Sequence, residues 1–425
     1  MIVASRRLFS ALAVLLLAGF ACQMLPISAQ DKDKKDPVKD VKKDEKKVDP
    51  KDVKKEDPKK DVKKEDPKKD KKEEKKEEVK PDLTKEKRDT PLKELKGHTN
   101  WINTLVFGAD GKLLSASRDR TIKIWDLAAG KDLQTFKDHP DSVRAAVWVT
   151  ADLVAASAGK WSKENKAWEG EIKIWDLKAG KESKPLKGHS ATIECLAVSK
   201  DGKYLASGSE DQTIKIWDLS IGKEVQTIKA GLVHGVAFSP DGKRIAAAGA
   251  DKLVKVWNVT PGQPAPEPKK EDVKKDDPKK DDPKKVDPKK VVKKEDPKET
   301  FDPPAIVIKG PGRDYSSIAF SPDGKTLAAG NLDGVVTVWD VDGNKQISEL
   351  KTNEGVLCVA FSPDGNKIAT GGWDWTARVF DAKSGKQLQL IHAHQGTVTA
   401  VVFAADGQTL ATGGLDGLIK VWSVK

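Results

Sequence analysis

The sequence predicts an all-β protein, a seven-bladed β-propeller of four-stranded antiparallel blades with a disordered N-terminal tail and one disordered insertion. An apolar strand that ends in Trp-Asp or a close relative recurs about every 40 to 50 residues, with one longer gap. Asp-Gly turns separate alternating apolar strands, which predicts hairpins. One such unit cannot bury both faces, so the repeats must stack into a ring. The seven aromatic positions are Trp125, Trp175, Trp217, Trp257, Trp339, Phe380 and Trp422.

Each repeat predicts four strands, a to d, in the same order. Strand a alternates apolar residues, as in 233–238, and is followed by a Ser-Pro-Asp-Gly turn, as in 239–242. Strand b has the type of 205–209, and a turn with an aspartate leads to the tryptophan strand c. A fourth strand such as 224–229 completes the unit, which is therefore an antiparallel meander.

Short motifs around these strands resemble those of the WD40-repeat family. A Gly-His pair precedes strand a at 97–98 and 188–189, and Asp119, Asp211 and Asp416 occupy the family's turn position. The resemblance covers residues 91–425, interrupted by an insertion at 262–304. The last repeat stops after its tryptophan strand, so the resemblance implies that residues 91–96 supply the fourth strand of blade seven and close the ring.

The resemblance also implies structural networks of His, Ser or Thr, Asp and Trp that join the strands of a blade. Three complete sets are present, and blade two has His139 without an aligned aspartate. A His-Asp-Ser trio is also compatible with a hydrolase, but here it recurs in several blades and a tryptophan uses one end of it. The sets are His98, Ser115, Asp119 and Trp125; His189, Ser207, Asp211 and Trp217; and His394, Thr412, Asp416 and Trp422.

Residues 1–29 have the pattern of a secretory signal peptide. Arg6 and Arg7 precede an apolar run, 8–20, that is short for a membrane span. Cleavage after Ala21 and cleavage after Ala29 are both compatible with the sequence, and lipidation of Cys22 or an uncleaved anchor are alternatives. We therefore expect an exported protein in the periplasm, the cell envelope or the medium, with membrane contact only through such an anchor.

Two low-complexity segments, 30–90 and 262–304, consist mainly of Lys, Asp, Glu, Val and Pro. They offer few apolar side chains to offset the entropy of ordering, so we expect disorder. The chain has a net charge of +11, but both signs are mixed densely in these segments. This mixing disfavours nucleic acid as a partner; polyanion binding through the lysines remains an alternative to a solvated spacer.

The sequence predicts neither catalysis nor a cofactor. It has no HExxH motif, no phosphate-binding loop and no Gly-x-Ser-x-Gly motif. His392 and His394 form a His-x-His pair, but no further ligand lies nearby in sequence, so we expect no metal site. The two cysteines outside the signal segment, Cys195 and Cys358, lie in different blades and are expected to be core thiols.

Five tryptophans have no place in the repeat, and all are predicted in loops on the face that carries the b–c turns and d–a connections, here called the top face. Tryptophan and arginine are enriched at binding hot spots. We therefore expect a monomeric, non-catalytic scaffold that binds a protein or peptide there. Alternatives are carbohydrate or cell-envelope polymer binding, or packing of the tryptophans as a lid. The candidate residues are Trp101, Arg118, Arg120, Trp161, Trp168, Trp373 and Trp375.

Overall fold

A computed structural model describes residues 89–137, 139–164, 166–183, 185–259, 304–310 and 312–425. The predicted signal peptide, almost all of the N-terminal tail and nearly the whole insertion lie outside the described residues. Within these ranges, no helix is long and apolar enough to cross a membrane.

The described residues form 29 strands in seven antiparallel sheets, as the repeat pattern predicts. Blade one contains β2 (Ile102–Phe107), β3 (Leu113–Ser117), β4 (Ile122–Asp126) and β5 (Lys131–Phe136). Blade two contains β6 (Ala146–Thr150), β7 (Leu153–Ser162), β8 (Ala167–Asp176), β9 (Lys181–Glu182) and β10 (Leu186–His189). Blade three contains β11 (Ile193–Val198), β12 (Tyr204–Ser209), β13 (Thr213–Asp218) and β14 (Lys223–Lys229).

The remaining four blades follow the same order. Blade four contains β15 (Val233–Phe238), β16 (Arg244–Gly249), β17 (Leu253–Asn258) and β18 (Ile306–Lys309). Blade five contains β19 (Tyr315–Phe320), β20 (Thr326–Asn331), β21 (Val335–Asp340) and β22 (Lys345–Lys351). Blade six contains β23 (Val356–Phe361), β24 (Lys367–Gly372), β25 (Ala377–Asp381) and β26 (Gln387–Ile391). Blade seven contains β27 (Val398–Phe403), β28 (Thr409–Gly414), β29 (Ile419–Ser423) and β1 (Lys93–Leu95).

The ring closes by pairing the start of the described chain with its end. Strand β1 pairs antiparallel with β29, and Leu95 lies opposite Ile419. The side chain of Leu95 is buried between blade one and blade seven. Glu94 also lies 3.8 Å from Lys420 across the pair. The fourth strand of blade seven therefore comes from the N-terminal side of the propeller, and it covers the edge of β29 that would otherwise be unpaired.

Seven apolar clusters lie between successive blades and form the core. The cluster that joins blades seven and one contains Trp125 together with Ile102 and Ile419, all less than a few per cent exposed. Each blade thus buries its two faces against two neighbours, which is why a single repeat would not fold alone.

Strand a carries a β-bulge near its start in every blade except blade two. The register shifts between the first and third residues, for example between Ile193 and Cys195 in blade three and between Val233 and Gly235 in blade four. A bulged residue is left out of the ladder, and its side chain is redirected. Here the bulged residues line the central channel of the ring, at its top end.

Blade two departs from the repeat in two ways. Strands β7 and β8 continue well beyond the blade as a ribbon, and Trp161 and Trp168 face each other across it as a cross-strand pair. The prediction that these two residues lie in a loop is therefore wrong: pairing extends the strands to residues 162 and 167. The fourth strand is also divided into β9 and β10, which pair with different parts of β8.

Candidate functional site

Three of the blades contain a complete hydrogen-bonded network on their top side. In blade one, His98 Nδ1 lies 2.8 Å from Asp119 Oδ2, and His98 Nε2 lies 2.7 Å from Ser115 Oγ. Trp125 Nε1 donates to the same hydroxyl at 2.8 Å. The chain therefore links the d–a connection, strand b, the b–c turn and strand c of one blade. It uses every polar atom of the imidazole.

Blades three and seven repeat this geometry. His189 lies 2.7 Å from both Asp211 and Ser207, and Trp217 donates to Ser207 at 2.8 Å. In blade seven the same distances, for His394 with Asp416 and Thr412 and for Trp422 with Thr412, are 2.7 to 2.9 Å. Burial raises the pKa of Asp211, but hydrogen bonds from His189 and Thr213 outweigh it and lower the pKa to about 2. These aspartates are thus fixed acceptors in a structural role.

Blade two lacks the hydroxyl as well as the aspartate. The strand register places Ala156 at the position that Ser115 has in blade one. Among the described residues, the buried ring nitrogens of His139 and Nε1 of Trp175 have no hydrogen-bond partner. Burial, and next the charge of Lys173, lowers the pKa of His139 to about 4. The neutral imidazole is therefore held in an apolar position.

Replacing Ala156 with serine is expected to stabilise the protein by about 1 to 2 kcal/mol, because a net hydrogen bond contributes about 0.5 to 1.5 kcal/mol and two buried groups gain a partner. The ring centroids of His139 and Trp175 are 5.7 Å apart, close to the 5.9 Å between His98 and Trp125, so the new hydroxyl fits between them. Urea unfolding of the full chain, with and without the substitution, measures the change in the free energy of unfolding.

Ala155 provides the matched control for this substitution. It is fully buried on the other face of the same strand. Ala155→Ser adds the same hydroxyl without the His139 and Trp175 partners, so we expect a loss of about 1 to 3 kcal/mol. Equal effects of the two substitutions would contradict the assignment of Ala156 to the network position.

Blade six replaces the histidine network with a buried ion pair. Arg378 on β25 donates through Nη1 to Asp374 Oδ2 and to Thr376 Oγ1, the latter at 2.7 Å. Thr376 in turn donates to Asp374 Oδ1 at 2.7 Å. The side chains of Asp374 and Arg378 are 4% and 5% exposed. A charge pair thus joins the b–c turn to strand c where blade six has Phe380 instead of tryptophan.

Trp101 and Arg118 form a cation–π pair on the top face of blade one. The guanidinium carbon of Arg118 lies 4.3 Å from the centroid of the Trp101 ring, and both residues are partly exposed. The backbone holds the pair, because Arg118 N donates to Trp101 O at 2.9 Å. Burial and the neighbouring charge of Arg144 lower the pKa of Arg118. This pair is the part of the predicted surface that the structure brings together.

The other candidates on blades one and six lie in b–c turns. Arg120 is exposed and Trp375 is partly exposed, and both have a left-handed backbone, with φ of 67° and 65°. At the matching turn position, Gly334 and Gly417 have φ of 84° and 73°. Trp373 is half-buried, and its ring lies beside Gly355 of the same blade. In the described part of the chain, no ring contact joins these residues to Trp101.

The two tryptophans of blade two pack against each other. Their rings are T-shaped, with centroids 6.0 Å apart, and Trp161 is 53% exposed whereas Trp168 is half-buried. The alternative that these tryptophans pack as a lid is therefore met in part, because the two rings cover each other on the ribbon. They make no ring contact with Trp101 in the described part of the chain.

The sequence interpretation missed a group of charged residues around the top end of the channel. Arg144 Nη1 donates to Glu194 Oε2 at 3.3 Å, and both side chains are largely buried. Arg118 and Glu210 are close enough to change the pKa of Glu194. The sequence offers one weak indication of this group. Arg144 and Glu194 are charged, whereas the same channel-facing position is uncharged in four other blades, with Asn103, Ser316, Leu357 and Thr399.

Comparisons with known proteins agree with this architecture. The family model described as WD domain, G-beta repeat matches residues 89–126, 180–218, 222–258, 304–340, 344–381 and 385–423, which together are more than half of the chain. These matches leave out most of blade two.

A curated relative matches over a shorter stretch. A segment of 56 residues is 50% identical to the nuclear distribution protein PAC1 of Ajellomyces capsulatus (strain H143). The match covers 13% of this chain and 12% of that protein.

Proposed function

The chain belongs to the WD40-repeat family of β-propellers, and we propose that it is a scaffold that binds a protein or peptide through the top face around Trp101 and Arg118. WD40 propellers are generally non-catalytic scaffolds that bind proteins. The predicted absence of catalysis in this chain is part of the proposal.

The Trp101–Arg118 pair is the observation that carries the proposal. A tryptophan and an arginine in van der Waals contact, half-buried and fixed by a backbone hydrogen bond, form a preorganised anchor of the kind found at interface hot spots. Preorganisation matters because side chains that are already ordered lose less entropy on binding.

Trp375 gives independent support. A left-handed conformation is unfavourable for a bulky residue, and two other blades place glycine at the same turn position. Blade six nevertheless presents a partly exposed indole there. Gln212 and Lys252 are also left-handed at this position, so the backbone conformation belongs to the turn itself, and the partly exposed indole is what supports a role in binding.

Replacing Trp101 with alanine is expected to weaken the affinity for the partner about 30-fold or more, since a hot-spot residue contributes about 2 kcal/mol or more. The partner is first captured by chemical crosslinking and mass spectrometry, and its dissociation constant is then measured with purified proteins. Leu388→Ala on the outer strand of blade six is the control, because Leu388 is an exposed apolar residue away from the top face.

An unchanged dissociation constant for Trp101→Ala would remove Trp101 from the proposed surface. A second candidate function, binding of carbohydrate or cell-envelope polymer, is favoured by the exposed ring of Trp161 on the blade-two ribbon. Glycan-array binding by the wild type that Trp161→Ala abolishes would favour that function over protein binding. A steep salt dependence, lost when 30–90 and 262–304 are deleted, would instead favour polyanions.

We further propose that the protein is exported, which rests on the sequence pattern of residues 1–29. Mass spectrometry of the N-terminal peptide from the source cells tests this proposal. A mature N-terminus after Ala21 or Ala29 is expected, and a protein that retains Met1 in the cytoplasmic fraction would contradict export.

A further inference from the structure

The central channel contains a cavity of about 220 Å³ that is lined by strand-a residues of all seven blades. This volume is below the roughly 300 to 1,000 Å³ of sites for drug-sized ligands, so the cavity suits one side chain rather than a whole small molecule. The polar residues of its wall include Arg144, Glu194 and His234. It is therefore a small polar recess in the centre of the ring.

Glu194 is directed to this cavity by the backbone. It is the bulged residue of β11, between Ile193 and Cys195, so its side chain leaves the ladder and lines the channel. The side chain is only 10% exposed. Its Oε2 accepts a hydrogen bond from Arg144, but among the described residues its Oε1 is buried without any partner. One acceptor of a buried carboxylate at the wall of the cavity is thus left unsatisfied.

Glu210, in the b–c turn of blade three, is the second acidic group near this position. Its Oε1 is also buried with no hydrogen-bond partner in the part of the chain that the structure describes. Buried acceptors without partners are rare in proteins, because an unsatisfied group loses its hydration without compensation. Glu210 does not line the cavity, but its charge acts on Glu194, whose unsatisfied oxygen is therefore the one that a donor in the cavity would serve.

We propose that the channel recess binds the ammonium or guanidinium group of a lysine or arginine side chain from the protein partner, with Glu194 as the acceptor. This inference rests on the proposed function and specifies which residue type the partner presents. An ammonium or guanidinium group carries several N–H donors, one of which would satisfy the free oxygen of Glu194. A metal ion is disfavoured, because no group of three potential ligands is found among the described residues.

The charges around Glu194 set the pH dependence of this binding. Desolvation raises the pKa of Glu194 to about 7; Glu210 adds to this rise, whereas Arg144 and Arg118 oppose it. Asp314, Glu210 and Arg144 are the charges near His234, and burial lowers the pKa of His234. Because a bound cation favours the ionised carboxylate, binding releases a proton when the pH is below 7.

The affinity for a cationic side chain should therefore rise with pH. A carboxyl group with a pKa of about 7 is roughly one-tenth ionised at pH 6 and nine-tenths ionised at pH 8, which predicts about a 10-fold tighter binding at pH 8. The probe is N-acetyl-lysine N′-methylamide, and its uncharged counterpart is N-acetyl-norleucine N′-methylamide, which has the same four-carbon chain.

The experiment follows the side-chain carboxyl carbons of glutamate by NMR in the full chain during titration with each probe. The lysine probe is expected to shift the Glu194 resonance and to lower its pKa, and the norleucine probe is expected to leave both unchanged. Glu194→Gln should weaken binding of the lysine probe at least 10-fold at pH 8. Glu349→Gln, an outer-strand substitution in blade five, should not change it.

Binding of both probes with equal affinity, or binding of the lysine probe that Glu194→Gln leaves unchanged, would overturn the inference. So would a lysine probe that causes no shift. The proposed function is tested separately by Trp101→Ala, so a partner that depends on Trp101 while the probe does not bind would contradict only the channel site. Thermal unfolding of Glu194→Gln, compared with the wild type, shows whether the fold is retained.

Discussion

Replacing Asp374 with alanine is expected to destabilise the propeller by about 3 to 5 kcal/mol, the usual effect of removing one partner from a buried ion pair. The substitution leaves the guanidinium of Arg378 in a position that is 5% exposed, with Thr376 as its one remaining hydrogen-bond partner among the described residues. The charge cannot be neutralised by deprotonation, because arginine stays protonated at accessible pH. Urea unfolding measures the loss.

The double variant Asp374→Ala with Arg378→Met separates the charge from the packing. Removing both charges is expected to restore most of the lost stability, since a buried ion pair contributes little relative to apolar residues of similar volume. Asp251→Ala in blade four is the matched control. Its partner Lys255 is more exposed, so we expect a loss of about 1 kcal/mol or less. Equal losses for Asp374→Ala and Asp251→Ala would contradict the account of blade six.

Replacing Leu95 with alanine is expected to cost about 2 to 5 kcal/mol, the range for large-to-small substitutions in a packed core. Leu95 is 1% exposed and packs between blades seven and one, so the cavity forms where the ring closes. We expect unfolding of the whole propeller to become easier, because blade seven loses the contact that fixes its outer strand.

Leu92 is the control for ring closure. It lies just before β1 and is 63% exposed. Leu92→Ala should change the stability by less than about 0.5 kcal/mol, as is usual for surface substitutions. If Leu95→Ala had an equally small effect, β1 would not be a necessary part of the ring.

The regular blades follow from local patterns and could be predicted from the sequence. Asp-Gly turns fix hairpins, and in the turn at 239–242 Gly242 has the positive φ of 70° that this geometry requires. The tryptophan strands mark strand c in each repeat. The closing strand at 93–95 could also be predicted. The last repeat lacks a fourth strand, and a strand-like segment without another partner precedes the first repeat.

Blade two could not be predicted to the same extent. Residues 159–170 contain Lys, Ser, Glu and Asn, which are compatible with a loop, and only the cross-strand pairing in the structure, which includes Trp161 with Trp168, shows that the strands continue. The missing hydroxyl at Ala156 depends on the register of β7 against β8. A shift of one residue would have placed Ser157 there instead, and sequence alone did not fix that register.

The candidate site likewise has one part that could be predicted from the sequence and one part that could not. The tryptophans that have no place in the repeat predicted the candidate site. Trp101 and Arg118 lie in neighbouring turns of one blade, so their contact follows from the blade itself. Arg144, Glu194 and Glu210, at and near the channel, belong to different blades or turns, and only the closed ring and the β-bulge bring their charges together. Such long-range proximity leaves no local pattern in the chain.

Site-specific photo-crosslinking from the two faces of the propeller tests the central claim, that the partner binds the top face, most directly. A benzophenone amino acid replaces Arg120, which is exposed in the top-face turn beside the Trp101 pair, or Ile221, which is 59% exposed in a c–d turn on the opposite face. We predict that the partner crosslinks to the Arg120 position and not to the Ile221 position. Crosslinks from Ile221 alone, or equally from both positions, would contradict the account.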